Sequence, residues 1–520
     1  MLSFVDCAKK GTPSGGPRDT IPPMMVKSSP ENFSINFTGN EIVIRFNEYI
    51  KLKDVNKELI ISPPMKYSPL ITPLSASKML KIKILDTLKE NTTYSFNFGN
   101  SIVDNNEENK LEYFKYIFST GNYIDSLKLS GNVKDAQLIA PEIPTSVVLY
   151  EVNENFTDSL VYSEKPTYIT TTKDSTGTFE LTNVKEGKYL LLALKENNSD
   201  YTFQPKTDKI GFVENLVNLP ADTTYSLTLF KEIPEYKLAR PSQLGQNHIL
   251  FGYEGIADSL EINLLSELPQ DFSVTTFREF KKDTLHYFFK PSVENDSLLF
   301  TVKNAEHIDT LTVRMKELYK DSLRVLALNK GTQKLLDTLK LRANTPLRFF
   351  DPEQMQVIAK DSSLVIAEGL IDKKYNTAGI YFPKTEDQSY NVQLLPGALT
   401  DYFGNTNDTL HFNVNTRLAS DYGTLNLELN NVASFPVIVQ LVDSKYRVVA
   451  ESYLEENAPI YFEELSPAKY FLRLIYDVNK NKRWDTGNFL ERRAPEKIIY
   501  YPTEIEIRAN WGLNEIFTLK

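Results

Sequence analysis

One cysteine among 520 residues, Cys7, excludes a disulfide framework and any zinc site built on cysteine. Histidine is almost as scarce. His248, His286, His307 and His411 stand far apart in the chain, no two at metal-ligand spacing. His286 in LHYFF and His411 in TLHFNV sit in alternating stretches, where a lone histidine is most often a packed or surface residue. No G-x-S-x-G, Walker loop or G-x-G-x-x-G occurs, so the motif-bearing hydrolases, nucleotide-binding enzymes and dinucleotide enzymes are excluded. A carboxylate pair for glycoside hydrolysis leaves no local pattern and stays open. No run of 18 or more apolar residues is present, so no stretch crosses a bilayer as a helix. Positive charge is also short. Lys and Arg number 58 against 68 Asp and Glu, the formal net charge is -10, and no basic cluster carries interleaved aromatics. That balance argues against a nucleic-acid partner, and adhesion to an anionic membrane surface is disfavoured for the same reason.

What the chain has in quantity is aromatic: 28 Tyr and 30 Phe, side chains that suit pleated, half-buried surfaces and point to β structure. The length is too great for one core and implies roughly four or five domains. Ahead of them stands Cys7, followed by Gly11, Pro13, Ser14, Gly15, Gly16 and Pro17, a composition that behaves as an extended tether. A cysteine heading such a tether resembles a bacterial lipoprotein after signal-peptide cleavage. The resemblance implies a lipid on Cys7 and an outer-membrane or cell-surface location in a Gram-negative bacterium. Asp6 stands where those precursors carry a small residue, and six residues precede Cys7, fewer than a signal peptide's apolar region needs.

From Pro22 onward, short alternating stretches with turn residues every 8 to 12 positions predict β-sandwiches. In the first unit, 22–124, strands are expected at 33–37, 41–46, 81–85, 94–98 and 116–120. Its FNEYIKL (46–52), NTTYSFNFGNSIVDNNEEN (91–109) and FSTG (118–121) resemble the bacterial Ig-like domain associated with surface-layer proteins, in which Asp104 marks the loop before the last strand. In the second unit, 125–232, Gly131 with Val133, Gly177 with Phe179 and Leu181, and Gly187 with Tyr189 fall in the order G-x-V, G-x-F-x-L, G-x-Y-x-L. That series is similar to the transthyretin-like or carboxypeptidase-regulatory-like sandwich and implies a structural module without catalysis. The unit 233–344 patterns as a divergent sandwich, with two strands preferred over a helix across 315–328. The unit 345–418 repeats the Ig-like pattern with Asp401 answering Asp104, and 419–520 repeats the transthyretin-like one.

The last unit contains the most pronounced local motif. After the alternating run 470–476, Asp477, Asn479, Asn481 and Asp485 are spaced two to four residues apart beside Trp484. They fall at positions 1, 3, 5 and 9 of an EF-hand-like Ca²⁺ loop, but Lys482 replaces the turn glycine and Asn488 stands where a bidentate Glu belongs. The residues therefore allow a metal site or a metal-free loop held by Asx turns, and the turn is the preferred reading. Glu196, Asn198, Asp200 and Phe203 form a weaker copy upstream.

The expectation is an all-β chain of tandem Ig-like and transthyretin-like sandwiches, non-catalytic, with no cofactor beyond a potential Ca²⁺. It would be lipid-anchored and act as a scaffold or accessory subunit, docking through sheet edges and loops on other envelope proteins, an outer-membrane assembly or secretion machine among them. Binding or processing of surface glycans is the alternative.

Overall fold

The computed structural model describes residues 18–519 except 268; Cys7 lies outside the described residues. The chain is a series of β-sandwiches falling into two compact units, one of 1–232 with 486–495 and the other of 233–485 with 496–520.

In the first unit, the Ig-like sandwich grows from the period-2 pattern of its longest strand. Glu41–Leu52 turns Ile42, Ile44 and Phe46 inward and pairs with Met25–Ser29, Ser77–Lys83 and Ile102–Asp104. Facing it are Ile60–Ser62, Thr93–Asn97 and Lys115–Ser119, whose Phe96 and Phe118 close the core. Each such fully buried ring contributes about 1.5–3 kcal/mol through apolar burial. The strand expected at 33–37 does not form: Phe33 and Asn36 take left-handed backbone (φ 66° and 53°), which breaks an extended run and leaves Ser34 bridging Phe118 alone.

The second sandwich packs Thr178–Val184, Leu127–Asp135 and Thr224–Leu229 against Tyr168–Thr171, Ser146–Glu151, Gly187–Lys195 and Lys209–Phe212. Two of the motif glycines have steric reasons. A Cβ on Gly131 would lie 2.0 Å from the Tyr225 carbonyl oxygen, and Gly177 has φ 72°. The joint between the two sandwiches is tied by buried and partly buried polar contacts. Asp125 bonds the Thr93 hydroxyl, Lys115 Nζ donates to Thr182 Oγ1, and Ile169 N–H donates to Ser62 Oγ.

In the second unit, the third sandwich is built from His248–Glu254, Thr284–Lys290 and Ser273–Arg278 over Glu261–Leu264, Ser297–Asn304 and His307–Arg314. No helix forms across 315–328; residues 315–324 lie outside strands, and Val325–Ala327 is extended. That short strand pairs with Leu339–Ala343, which pairs with Thr377–Tyr381. The boundary expected at 344 is therefore displaced to the irregular segment before Val325, because Val325, Leu339 and Leu341 belong to the core of the fourth sandwich. The local pattern there is weak because the strands are short and Leu339–Ala343 finds its second partner more than 30 positions downstream.

The last sandwich repeats the second strand for strand. Gly423–Asn430 lies between Ile460–Leu465 and a parallel Gly512–Thr518, as Leu127–Asp135 lies between Thr178–Val184 and a parallel Thr224–Leu229. Opposite, Val437–Val442 and Ala468–Tyr476 take the places of Ser146–Glu151 and Gly187–Lys195. One departure from the expected unit 419–520 is that 486–495 groups with the first unit.

Candidate functional site

The loop after Ala468–Tyr476 brings the four predicted residues together. Asp477 is buried and accepts the backbone N–H groups of Asn481 and Lys482 at 3.1 and 2.9 Å. Asp485 Oδ2 receives both the Asn479 and the Asn481 side-chain amides at 2.6 Å, and Asn481 Oδ1 accepts Arg483 N–H. The side chains thus serve as Asx-type turn partners. Sequence reasoning missed Glu496, whose carboxylate accepts the N–H groups of Val478 and Asp485 and whose carbonyl accepts the Trp484 indole N–H. Burial raises the Glu496 pKa above the usual carboxylate value. Only the fold reveals this partner, 19 residues from Asp477. Among the described residues, no group of three or more His, Cys, Asp or Glu is arranged to hold a metal ion.

The upstream copy has the same backbone. Glu196 accepts the N–H of Tyr201, five positions on, as Asp477 accepts that of Lys482. Ser199 and Tyr201 are left-handed (φ 53° and 63°), and so are Lys480 and Lys482 (62° and 63°), at identical offsets from the acid. The duplication therefore reaches down to individual dihedrals. Burial pushes the Glu196 carboxyl up to about 7, with Asp200 and Asp208 adding repulsion. The buried Ig-like loop acids also correspond: Asp104 accepts four successive backbone N–H groups from Asn106 to Asn109, and Asp401 accepts those of Phe403 and Asn405.

Beyond the Asp477 loop, 486–495 packs within the first unit. Phe489, fully buried, meets Phe212 edge-on at 5.9 Å between ring centroids, with its N–H on the Glu232 carboxylate. Arg492 covers the Phe489 ring at 4.6 Å and bonds Asp158 at 2.6 Å.

In the second unit, two histidines that stand 38 positions apart in the chain meet. Neighbouring strands bring His248 Nε2 to 2.8 Å from His286 Nδ1. The pair lies in a stack with Phe277 and Phe288, with His248 and Phe288 4.0 Å apart and Phe277 and His286 4.6 Å apart. Burial depresses both imidazoles, His248 to about 3 with the neighbouring ring adding to the effect, so both are neutral near pH 7. A period-2 reading placed each histidine on a strand but could not place the strands side by side. His248, His286 and Phe277 border a cavity of about 500 Å³ that also takes in Glu279, Asp321 and Arg342. Phe277 borders a second, of about 420 Å³, with Lys290, Arg348, Lys373 and Tyr402. His411 and His307 are exposed.

Comparison with known structures returns multidomain β proteins. The chain is 11% identical to the surface layer protein SbsC, domains 1–6, over 94% of this chain and 67% of that one, at a TM-score of 0.17. A second surface layer structure is 12% identical over 88% and 64%, at 0.15. The major pilin subunit of Bacillus cereus is 11% identical over 76% and 99%, at 0.14. The chain spans about two thirds of the length of the surface layer proteins it matches. No curated protein matches it. In the first sandwich, residues 19–120 match the family model of the bacterial Ig-like domain.

Proposed function

We propose that the chain is a non-catalytic envelope scaffold, lipid-anchored through Cys7 at the surface of a Gram-negative cell, that docks on outer-membrane proteins. The observation that supports this most is the presence of open sheet edges on sandwiches whose notable polar residues serve structure. Val448–Leu454 pairs with Val437–Val442 on one side only, and Val448 and Val449 are exposed on it. Among the described residues, His307–Arg314 likewise pairs only with Ser297–Asn304. An unpaired strand of seven or eight residues presents a row of backbone donors and acceptors that a partner's strand can complete. Asp104, Asp401, Asp477 and Asp485 are committed to turns, and His248 Nε2 and His286 Nδ1 are committed to each other.

The test is affinity purification from native membranes with the anchor intact, beside Cys7→Ala and a Val448→Lys/Val449→Lys double variant. An outer-membrane protein should co-purify with the wild type and be lost from the edge variant, and Cys7→Ala should leave the membrane fraction. Retention of Cys7→Ala in membranes would overturn the anchor. Equal capture by the edge variant and the wild type would overturn docking at that edge.

A further inference from the structure

The joint between the third and fourth sandwiches holds a cavity walled by three cations and no acid in an otherwise acidic chain. Lys290, Ser273 and Thr275 share one face of the third sandwich's sheet, since Lys290 pairs across from Ser273 and Thr275 follows two positions on. Arg348, Lys373 and Tyr402 enter from the fourth. Together they line the cavity of about 420 Å³, which has three cations and no Asp or Glu in its walls, although the whole chain has a net charge of -10. The frame is fixed on two sides. Lys290 Nζ donates to the Tyr402 carbonyl at 2.7 Å and lies 4.4 Å from its ring, and the Ser273 and Tyr402 hydroxyls bond at 2.5 Å. On the other side Arg278 N–H donates to the Lys374 carbonyl at 2.9 Å. The nearby acid, Asp372, is turned onto the N–H groups of Lys374 and Tyr375.

Among the described residues, the Arg348 and Lys373 side chains make no hydrogen bond or ion pair, the Arg348 charge acting only on the Tyr402 phenol. Lys290 uses one of its three N–H groups on Tyr402, leaving two. Two unpaired cations beside a third, around a recess rimmed by hydroxyls, form a field suited to an anion that also bears hydroxyl groups. The volume falls within the roughly 300–1,000 Å³ of small-molecule sites.

We propose that this joint binds a hydroxylated anion the size of a monosaccharide, a sugar carrying a carboxylate or phosphate. Arg348 and Lys373 hold the charged group, and Lys290 with the Ser273, Thr275 and Tyr402 hydroxyls meets the ring hydroxyls. The inference does not depend on docking at the sheet edges.

Calorimetric titration of the full chain with glucuronate, glucose 6-phosphate, glucose and inorganic phosphate tests it, beside Arg348→Gln, Lys373→Gln and, as a control elsewhere on the surface, Lys360→Gln. Either sugar acid should bind, with affinity falling as salt rises, while glucose should not and inorganic phosphate should bind at least tenfold more weakly. Each cavity variant should lose roughly 10- to 100-fold, the worth of a hydrogen bond to a charged group, and the control nothing. Absence of heat with both sugar acids at millimolar concentration would overturn the site. Equal binding of phosphate and sugar acid would overturn the hydroxyl recognition, and unchanged affinity in both cavity variants would overturn the assignment of residues.

Discussion

Buried acids in this protein do conformational work, and the cost of removing one follows from what it accepts. Asp477 satisfies two backbone N–H groups in a loop with two left-handed residues, so Asp477→Ala strands both donors and should cost about 1–3 kcal/mol in chemical denaturation. If the loop is a turn, the unfolding midpoint of the intact chain is the same in Ca²⁺ and in EDTA; a chelator-sensitive midpoint that vanishes in Asp477→Asn would make it a metal site. The full chain is needed for that experiment, because 486–495 has its packing partners in the first unit. His248 supplies a pH dependence of determinate sign. Its folded pKa, about 3, lies below the unfolded 6.5, so between those values the unfolded chain binds more protons. Stability of the second unit should therefore rise with pH from about 3 to 6.5, and His248→Phe should flatten the rise. Glu196 acts oppositely. Its carboxyl is raised from 4.5 to about 7, so its contribution to the first unit falls as pH climbs through that window, and Glu196→Gln should remove the fall.

Among the elements, the segment 486–495 is the one whose packing is least expected from its sequence. Phe489 is wholly buried against Phe212 and Phe230's neighbourhood, under the Arg492 guanidinium. Phe489→Ala should destabilise the first unit by about 3–5 kcal/mol, seen as a lower midpoint for the first unit with a smaller effect on the second. Asx-turn chemistry announced the loop at Asp477, whereas nothing in GNFLERRAP indicates where Phe489 goes. The paired strands of the second and last sandwiches show the reverse. Their period-2 runs and glycines were legible because one strand's two faces are encoded in adjacent residues, and the parallel pairing of Gly423–Asn430 with Gly512–Thr518 followed the duplication.

The molecule as a whole carries its resistance to proteolysis unevenly. Between the first two sandwiches, 121–126 is short and Asp125 is buried on Thr93, so a protease of broad specificity such as proteinase K should not cut there. Asn344 and Thr345 are likewise held, by Arg324 and Asn376, which removes 344 as a cleavage point. Early cleavage should fall instead in 316–324, an irregular stretch with Lys316, Lys320 and Arg324 in which Tyr319 is almost fully exposed. Terminal sequencing of the first fragments checks this; an initial cut between Thr120 and Leu127 would contradict the rigid joint.

The sequence by itself determined what local pattern can encode: all-β architecture from aromatic period-2 runs, the tandem duplication from matching acids such as Asp104 and Asp401, and the turn at Asp477 from Asx spacing. Contacts between distant strands were decided only by the tertiary structure. His248 meets His286 across 38 positions, Val325 joins the fourth core rather than the third, and Lys290, Arg348 and Lys373 converge on one cavity from two sandwiches. The reason is physical: side-chain alternation fixes which face of a strand is buried, but strand order and the packing of one sandwich on the next depend on burial and pairing summed over the whole chain, and no window of sequence contains that sum.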